Sequence, residues 1–408
     1  MKSTYQILTK ESIVAYLLSI ENIRDYFGDD ADLRVDEIGD GNLNFVFIIK
    51  SKTNTQKALI LKQAVPYLRC AGEGYALSRE RMTFEIRALT HISQITPDAV
   101  PFIYHSDEDM SIVVMEFLAD CTILRYEMIE GEIFVNLANH ISTYLANNLF
   151  YTSSLYLNSS DKRALVDEFN HNIELCKLTE DFVFTTAFMP HETNEPNSEQ
   201  NPQAQKLFGD MEFKKAVLGL KYKFMTQNDA LLHGDLHTGS IMVNDSKSYV
   251  IDPEFAFVGA FGFDIGAFIG NMIMSYNSHS DMKYKEWILD TIVSFYKEFE
   301  KKFLALWSET SESALLVDGF IDREYLDIYK KEFILNIFQE SLGFAGCKMA
   351  RRMFGIAGVA DIRDMSDESQ KQKAIEKTLT IATHLVKNYT EIKNIEEVIE
   401  VIIDADKI

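Results

Sequence analysis

The chain has 408 residues, of which 47% are hydrophobic, and a formal net charge of −22. That length predicts more than one hydrophobic core, and the apolar content excludes a disordered chain. The acidic balance argues against nucleic acid or an anionic membrane surface as partner, since both require a concentrated positive face.

The N-terminal "MKSTYQILTKES" has no apolar leader run, and Cys70, Cys121, Cys176 and Cys347 show neither metal spacing nor a disulfide framework. A reducing cytoplasm is the resulting expectation. The most apolar stretch, "FAFVGAFGFDIGAFIGNMIM" at 255 to 274, carries Asp264 near its centre. A carboxylate at mid-bilayer is costly, so the segment reads as a buried helix.

Taken in chain order, Ile13, Val14, Leu17 and Leu18 recur at helical spacing and predict a helix over 10 to 27, with Thr9 as its cap. Strands are expected at 32 to 39, 42 to 51 and 57 to 65, joined by the turn-rich "GDG" and "KTNTQ" into an antiparallel meander. A helix over 78 to 93 and the strands "PFIYHSD" and "SIVVMEFL" complete a five-stranded, one-helix lobe. Beyond it, helical periods run over 132 to 150, 160 to 179, 205 to 226, 264 to 277, 283 to 307, 322 to 355 and 369 to 389, and only 241 to 254 reads as strand. The polar run 189 to 205 is expected as a loop. The expectation is α+β: a small, mainly β lobe over 1 to 118, then a mostly helical one over 119 to 408.

The chemistry concentrates in "HGDLHTGSIMVNDSKSYVIDPE". A hairpin closed by "NDSK" is expected to bring Asp235 back towards Asp252 and Glu254, a set of carboxylates that bound cations would neutralise, Mg²⁺ above all. Isolated turn aspartates are usually only solvated; here the apolar "SYVID" presents Asp252 at a strand end. In "GDGNLNFVF", Gly39 and Gly41 either let the backbone approach phosphates or only serve a hairpin turn. Lys62 interrupts the apolar "ALILKQAV", and Glu85 shares a helix face with Met82 and Leu89. A lysine held by a glutamate and aimed at phosphates is a kinase device. Arg351 and Arg352 sit among Met349, Ala350, Met353 and Phe354, so they either seek an anion or answer acidic residues of the chain.

These parts resemble the protein-kinase-like fold, in the small-molecule branch that includes aminoglycoside and choline kinases. The kinase "HRD" is matched by His233, Gly234 and Asp235, and "DFG" by Asp252, Pro253 and Glu254. Ser240 stands five residues after Asp235, where kinases carry a metal-binding asparagine, so Glu254 is the substitute ligand beside it. Within the branch, "EIGDGNLN", "HGDLHTGSI", "IDPEFAF", "GFD" with Gly266, "GFAGCKMARR" and "GVADI" are similar to the 5-methylthioribose kinase family of methionine salvage, from about residue 35 to 362.

The resemblance implies a two-lobed fold with ATP in the cleft between the lobes, and phosphate contacts from Asn44 and Lys62 beside the glycine turn. It also implies an adenine hinge at Glu116, Phe117 and Leu118, and Mg²⁺ on Asp252 and Glu254 with Ser240. Asp235 would face the sugar and act as the catalytic carboxylate, and Arg351 and Arg352 would contact substrate and transferred phosphate. Asp264 would brace the catalytic loop, with His233 and His237 as further supports. Tyr75 stands where the family is expected to have tryptophan. The implied acceptor is the 1-hydroxyl of a small neutral sugar, and the implied assembly a homodimer. Two alternatives stay open. A kinase for choline or an aminoglycoside would have an acidic acceptor pocket in place of the two arginines. A nucleotide-binding scaffold would normally have lost one of Lys62, Asp235 or Asp252.

Overall fold

The computed structural model describes residues 5–28, 32–38, 43–67 and 76–407. Gly39, Gly41, Cys70 and Tyr75 lie outside the described residues. The chain forms two compact units, one of Met1–Cys121 with Tyr249–Ala256, the other of Thr122–Ser248 with Phe257–Ile408. The later segment that joins the first unit carries Asp252 and Glu254.

The first unit begins with α1 (Lys10–Leu18) and α2 (Glu21–Phe27), in place of the single helix expected over 10 to 27. Thr9 caps α1 reciprocally with Ser12: the Thr9 N–H donates to Ser12 Oγ at 2.8 Å and the Ser12 N–H to Thr9 Oγ1 at 3.4 Å. The break comes where the Ser19 hydroxyl donates to the Tyr16 carbonyl at 2.6 Å and Ile20 turns extended. The sheet follows with β1 (Leu33–Glu37), β2 (Asn44–Ser51) and β3 (Ala58–Ala64), then α3 (Arg81–Ile95), β4 (Ile103–Asp107) and β5 (Ile112–Glu116). Its order is β1-β2-β3-β5-β4, antiparallel throughout.

Strand alternation divides the side chains between two cores. Phe47, Ile49, Leu59, Leu61, Ile112 and Val114 pack with Ile13, Leu17, Ile23 and Phe27 of the first two helices. Ala64, Val113 and Met115 pack with Met82 and Ile86 of α3. Lys62, two residues from Ala64, therefore projects on the α3 side.

The second unit runs β6 (Thr122–Ile123), α4 (Leu124–Glu130), α5 (Leu137–Tyr151), α6 (Ser159–Phe169), α7 (Ile173–Phe182), α8 (Pro202–Gly209), α9 (Met211–Thr226), β7 (Ala230–Leu232) and β8 (Ile241–Val243). β9 (Ser248–Val250) carries the chain into the first unit. The chain returns through β10 (Phe257–Gly259), α10 (Gly262–Ser278), α11 (Met282–Glu309), α12 (Arg323–Phe354), α13 (Ala360–Arg363), α14 (Glu368–Asn388) and α15 (Ile395–Ala405).

Four expectations need correction here. The helix over 160 to 179 is two, α6 and α7, and the one over 205 to 226 is α8 and α9, divided at Asp210, whose carboxylate accepts the Phe213 N–H at 3.0 Å. The run 189 to 205 is loop only as far as Asn201, which caps α8 ahead of Pro202. Strands also occur outside 241 to 254: β7 pairs antiparallel with β10, and β6 with β8. Strands of two or three residues carry no readable period.

The apolar stretch from 255 divides into β10 and the buried helix α10, and no helix among the described residues is long and apolar enough to cross a membrane. α10 lies against α12 along Gly262, Gly266 and Gly270, one residue per turn. A Cβ on Gly266 would stand 2.3 Å from the Ser341 carbonyl oxygen and 2.8 Å from the Ala345 nitrogen, so only glycine permits this approach. It seats the C-terminal half of α12 beside the loop that follows β7.

Candidate active site

In the first unit the chemistry gathers around Lys62. Its ammonium donates to Glu85 Oε1 at 2.9 Å, lies 2.7 Å from Oε2, and is also paired with Asp252 Oδ1. Glu254 is buried two residues on, where its Oε2 accepts the Asn44 Nδ2–H at 2.9 Å and lies 3.5 Å from Arg81 Nε. Arg81 also donates to Asn44 Oδ1 at 3.1 Å and to the Leu43 carbonyl at 2.9 Å, fastening the start of β2 to α3. Asp252 has a left-handed φ of 68°, a conformation that aspartate tolerates better than most residues and that marks functional turns.

Oxygens of Glu85, Asp252 and Glu254 lie within 4.8 Å of one another. Three carboxylates thus face two cationic side chains. Burial, reinforced by Asp252, pushes Glu254 up to about 7 despite Lys62 and Arg81. Burial likewise pushes Glu85 up to about 8 against the pull of Lys62. The Lys62 ammonium is disfavoured by burial, yet Asp252, Glu85 and Glu254 outweigh that and hold it above its ordinary value. Three converging carboxyl groups, one of them exposed, make an all-oxygen donor set that suits a hard divalent cation.

The second unit gathers cations instead. Asp235 follows β7 in a loop braced by Asp264, whose Oδ2 accepts the His233 N–H at 2.6 Å and whose Oδ1 accepts the Gly234 N–H at 3.1 Å. The Asp235 N–H donates to His233 Nδ1 at 3.2 Å. Both oxygens of the Asp235 side chain are engaged: Lys348 Nζ lies 3.5 Å from Oδ1 and His237 Nε2 lies 3.4 Å from Oδ2. Burial alone would raise this carboxyl, but His237, Lys348, Arg352 and Arg351 hold it well below the usual carboxylate range. Burial, reinforced by Arg125, Arg352 and Lys348, outweighs Asp235 and holds His237 below its ordinary value.

Arg351 and Arg352 extend this field from the last turn of α12. Arg351 Nη1 donates to the Ile356 carbonyl at 3.1 Å, and its buried Nε has no hydrogen-bond partner among the described residues. Burial, and for Arg352 also Arg351, weakens the hold of both guanidinium groups on their protons. Arg125 of α4 donates to Thr238 Oγ1 at 3.1 Å and lies 3.6 Å from Asp361 Oδ2. Lys348, Arg351, Arg352 and Arg125 outnumber Asp235, Asp264 and Asp361, the reverse of the balance in the first unit. Such a site calls for an anion.

The expected residues therefore fall into two constellations. Asn44, Lys62, Glu85, Asp252 and Glu254 meet in the first unit. Asp235, His233, His237, Ser240, Asp264, Arg351 and Arg352 belong to the second. The Ser240 hydroxyl donates to the Asp235 carbonyl at 3.2 Å and meets His237 Nδ1 at 3.1 Å, so it is engaged within the loop. Glu116 ends β5 and accepts the Phe102 N–H at 3.2 Å, Phe117 carries the Lys50 ammonium 5.3 Å from its ring centre, and Leu118 is buried.

Sequence reasoning missed Arg81, Arg125, Lys348 and Asp361. Two left a signal. Arg81 stands four residues before Glu85, and Lys348 three and four before the arginines, so each shares a helix face with residues already singled out.

Residues 192–285 match the phosphotransferase enzyme family. The chain is 38% identical over 409 residues to methylthioribose kinase 1 of Oryza sativa subsp. japonica, covering 97% of this chain and 94% of that protein. It is 38% identical over 411 residues to the methylthioribose kinase of Escherichia coli O45:K1, covering 98% and 97%. Among solved structures it resembles a choline kinase from Cryptosporidium parvum, with 10% identity, coverage of 98% and 97%, and a TM-score of 0.47.

Proposed function

This chain belongs to the methylthioribose kinase family, and on that premise we propose that it transfers the terminal phosphoryl group of ATP to the 1-hydroxyl of 5-methylthioribose, giving the 1-phosphate in methionine salvage. The observation that carries the reading is the Asp235 carboxylate, in a loop braced by Asp264 and with Lys348 Nζ 3.5 Å from its Oδ1, Lys348 itself standing three and four residues before Arg351 and Arg352 on α12. Asp235 accepts a hydrogen bond from the sugar hydroxyl and orients it for attack, and the arginines receive the negative charge of the migrating group. Lys62, steadied by Glu85, contacts ATP phosphate, next to the start of β2 that Arg81 fastens through Leu43 and Asn44. Asp252 and Glu254 would hold Mg²⁺, which when bound neutralises phosphate charge. Ser240 keeps the catalytic loop in shape through the Asp235 carbonyl.

The enzyme acts in the cytoplasm as a homodimer, with ATP and a neutral sugar as its small-molecule partners. Lys62, Asp235 and Asp252 are all present, which argues against a scaffold without activity. The test supplies methylthioribose, ribose, choline and kanamycin to the purified protein with Mg·ATP and identifies products by phosphorus NMR. A 1-phosphate formed preferentially from methylthioribose is expected; preferential phosphorylation of choline or kanamycin overturns the substrate reading.

A further inference from the structure

Lys348, Arg351 and Arg352 occupy positions i, i+3 and i+4 of α12 and so share one helix face. Their surroundings differ. Each arginine reaches a backbone carbonyl just past the helix end, at Ile356 and Ala357. Lys348 is 6% exposed, its ammonium 4.2 Å from the centre of the Phe263 ring. Among the described residues its polar contacts are the Asp235 Oδ1 at 3.5 Å and the Gly234 carbonyl at 3.4 Å.

An ammonium buried against an aromatic ring costs stability that methionine at the same position would not. What lysine adds here is a charge on one oxygen of the reacting carboxylate. With His237 Nε2 3.4 Å from the other oxygen, the carboxylate is flanked on both sides and keeps lone pairs free for a hydroxyl. Lys348 also competes with the guanidinium groups for Asp235. Without it, the carboxylate would swing onto Arg351 or Arg352, and base and anion site would be lost together.

Resting on the kinase reading above, we propose that Lys348 is a positioning residue for the sugar hydroxyl: it fixes the Asp235 carboxylate against His237 and leaves Arg351 and Arg352 free for the phosphoryl group. It acts through Asp235. Gly266 and its neighbours on α10 set the reach, because the close α10–α12 contact seats Lys348 beside the loop that Asp264 braces.

The test compares Lys348→Met, which fills the space without charge, and Lys348→Gln, which keeps an N–H donor, in the wild-type and Asp235→Asn backgrounds. Wild-type turnover of methylthioribose is measured first. If the chain instead phosphorylates choline, the substrate reading fails and the same variants are assayed on choline, so the two failures are distinguishable. In K348M, kcat should fall by about 10² or more, within the range of general-base help, while KM for ATP stays within about threefold and the far-ultraviolet spectrum is unchanged. K348Q should keep more activity than K348M. Should K348M not fold, K348Q carries the comparison. In the D235N background either substitution should cost nothing further. A kcat within threefold of wild type overturns the proposal, as does an equal loss with and without Asp235, which would make Lys348 independent of the carboxylate.

Discussion

Asp252 and Glu254 stand two residues apart, yet the Asp252 side chain is 44% exposed while that of Glu254 is 2% exposed and tied to Asn44. Both are expected to matter for the cation, since its charge is what lets so many carboxylates stay ionised together. Replacing either by alanine should raise the Mg²⁺ concentration for half-maximal ADP release about tenfold or more, the scale on which metal-site substitutions act. Ser240→Ala should change it far less, because the hydroxyl serves the Asp235 carbonyl. A Ser240 effect as large as that of Asp252 would sink the assignment. Arg351→Lys and Arg352→Lys keep the charge and lose the planar fork, so each should lower kcat/KM by about 10- to 100-fold, as expected for a lost bidentate contact. Wild-type kinetics in both variants would show that charge alone suffices.

Helices α10 and α12 meet where backbone has replaced side chain. At Gly266 an added methyl would overlap the Ser341 carbonyl oxygen and the Ala345 nitrogen, backbone atoms that cannot rotate away. Gly266→Ala should therefore force the helices apart and destabilise the protein by about 1 to 3 kcal/mol, the usual cost of overpacking. Since Lys348 and Asp264 hang from these helices, turnover should fall with stability. A G266A variant that melts and turns over like wild type would show that the contact yields freely. The helix divisions at Ser19 and Asp210 teach a related lesson: the apolar period continues across both, and a serine or aspartate side chain that bonds nearby backbone ends one helix or starts the next.

Across the whole molecule, buried carboxyls set the pH range in which the fold is stable. Burial is the chief cause that lifts Glu85 to about 8, and Glu254 and Glu340 to about 7, from an ordinary 4.5. A folded-state value above the unfolded one gives stability that is fully present below the unfolded value and is lost as pH rises through the folded one. Burial holds His105, His140, His237 and His279 below their ordinary 6.5, so their share is present above that value and lost as pH falls. Without divalent cation, the melting temperature should thus peak near pH 6.5, where the histidine share is complete, and drop as pH rises from there to about 8. Mg²⁺ should reduce the drop, because it favours ionised Glu254, and Glu340→Gln should reduce it with or without Mg²⁺. Calorimetry across that range checks this, and a melting temperature that rises to pH 8 without cation would refute it. Local patterns and the family resemblance together singled out the candidate site residues, because the motifs around Lys62, Asp235 and Asp252 and the arginine pair Arg351 and Arg352 are short-range features of the sequence. The five strands of the sheet and the long helices were legible for the same reason: their side chains repeat with a period. Strands of two or three residues have none, and no spacing pairs Arg81 with Glu254 or Lys348 with Asp235 across a hundred residues and more. Those partnerships, and the charge each site is left with, were decided by tertiary packing, which takes the groups out of water and makes their neighbours, rather than solvent, answer their charge.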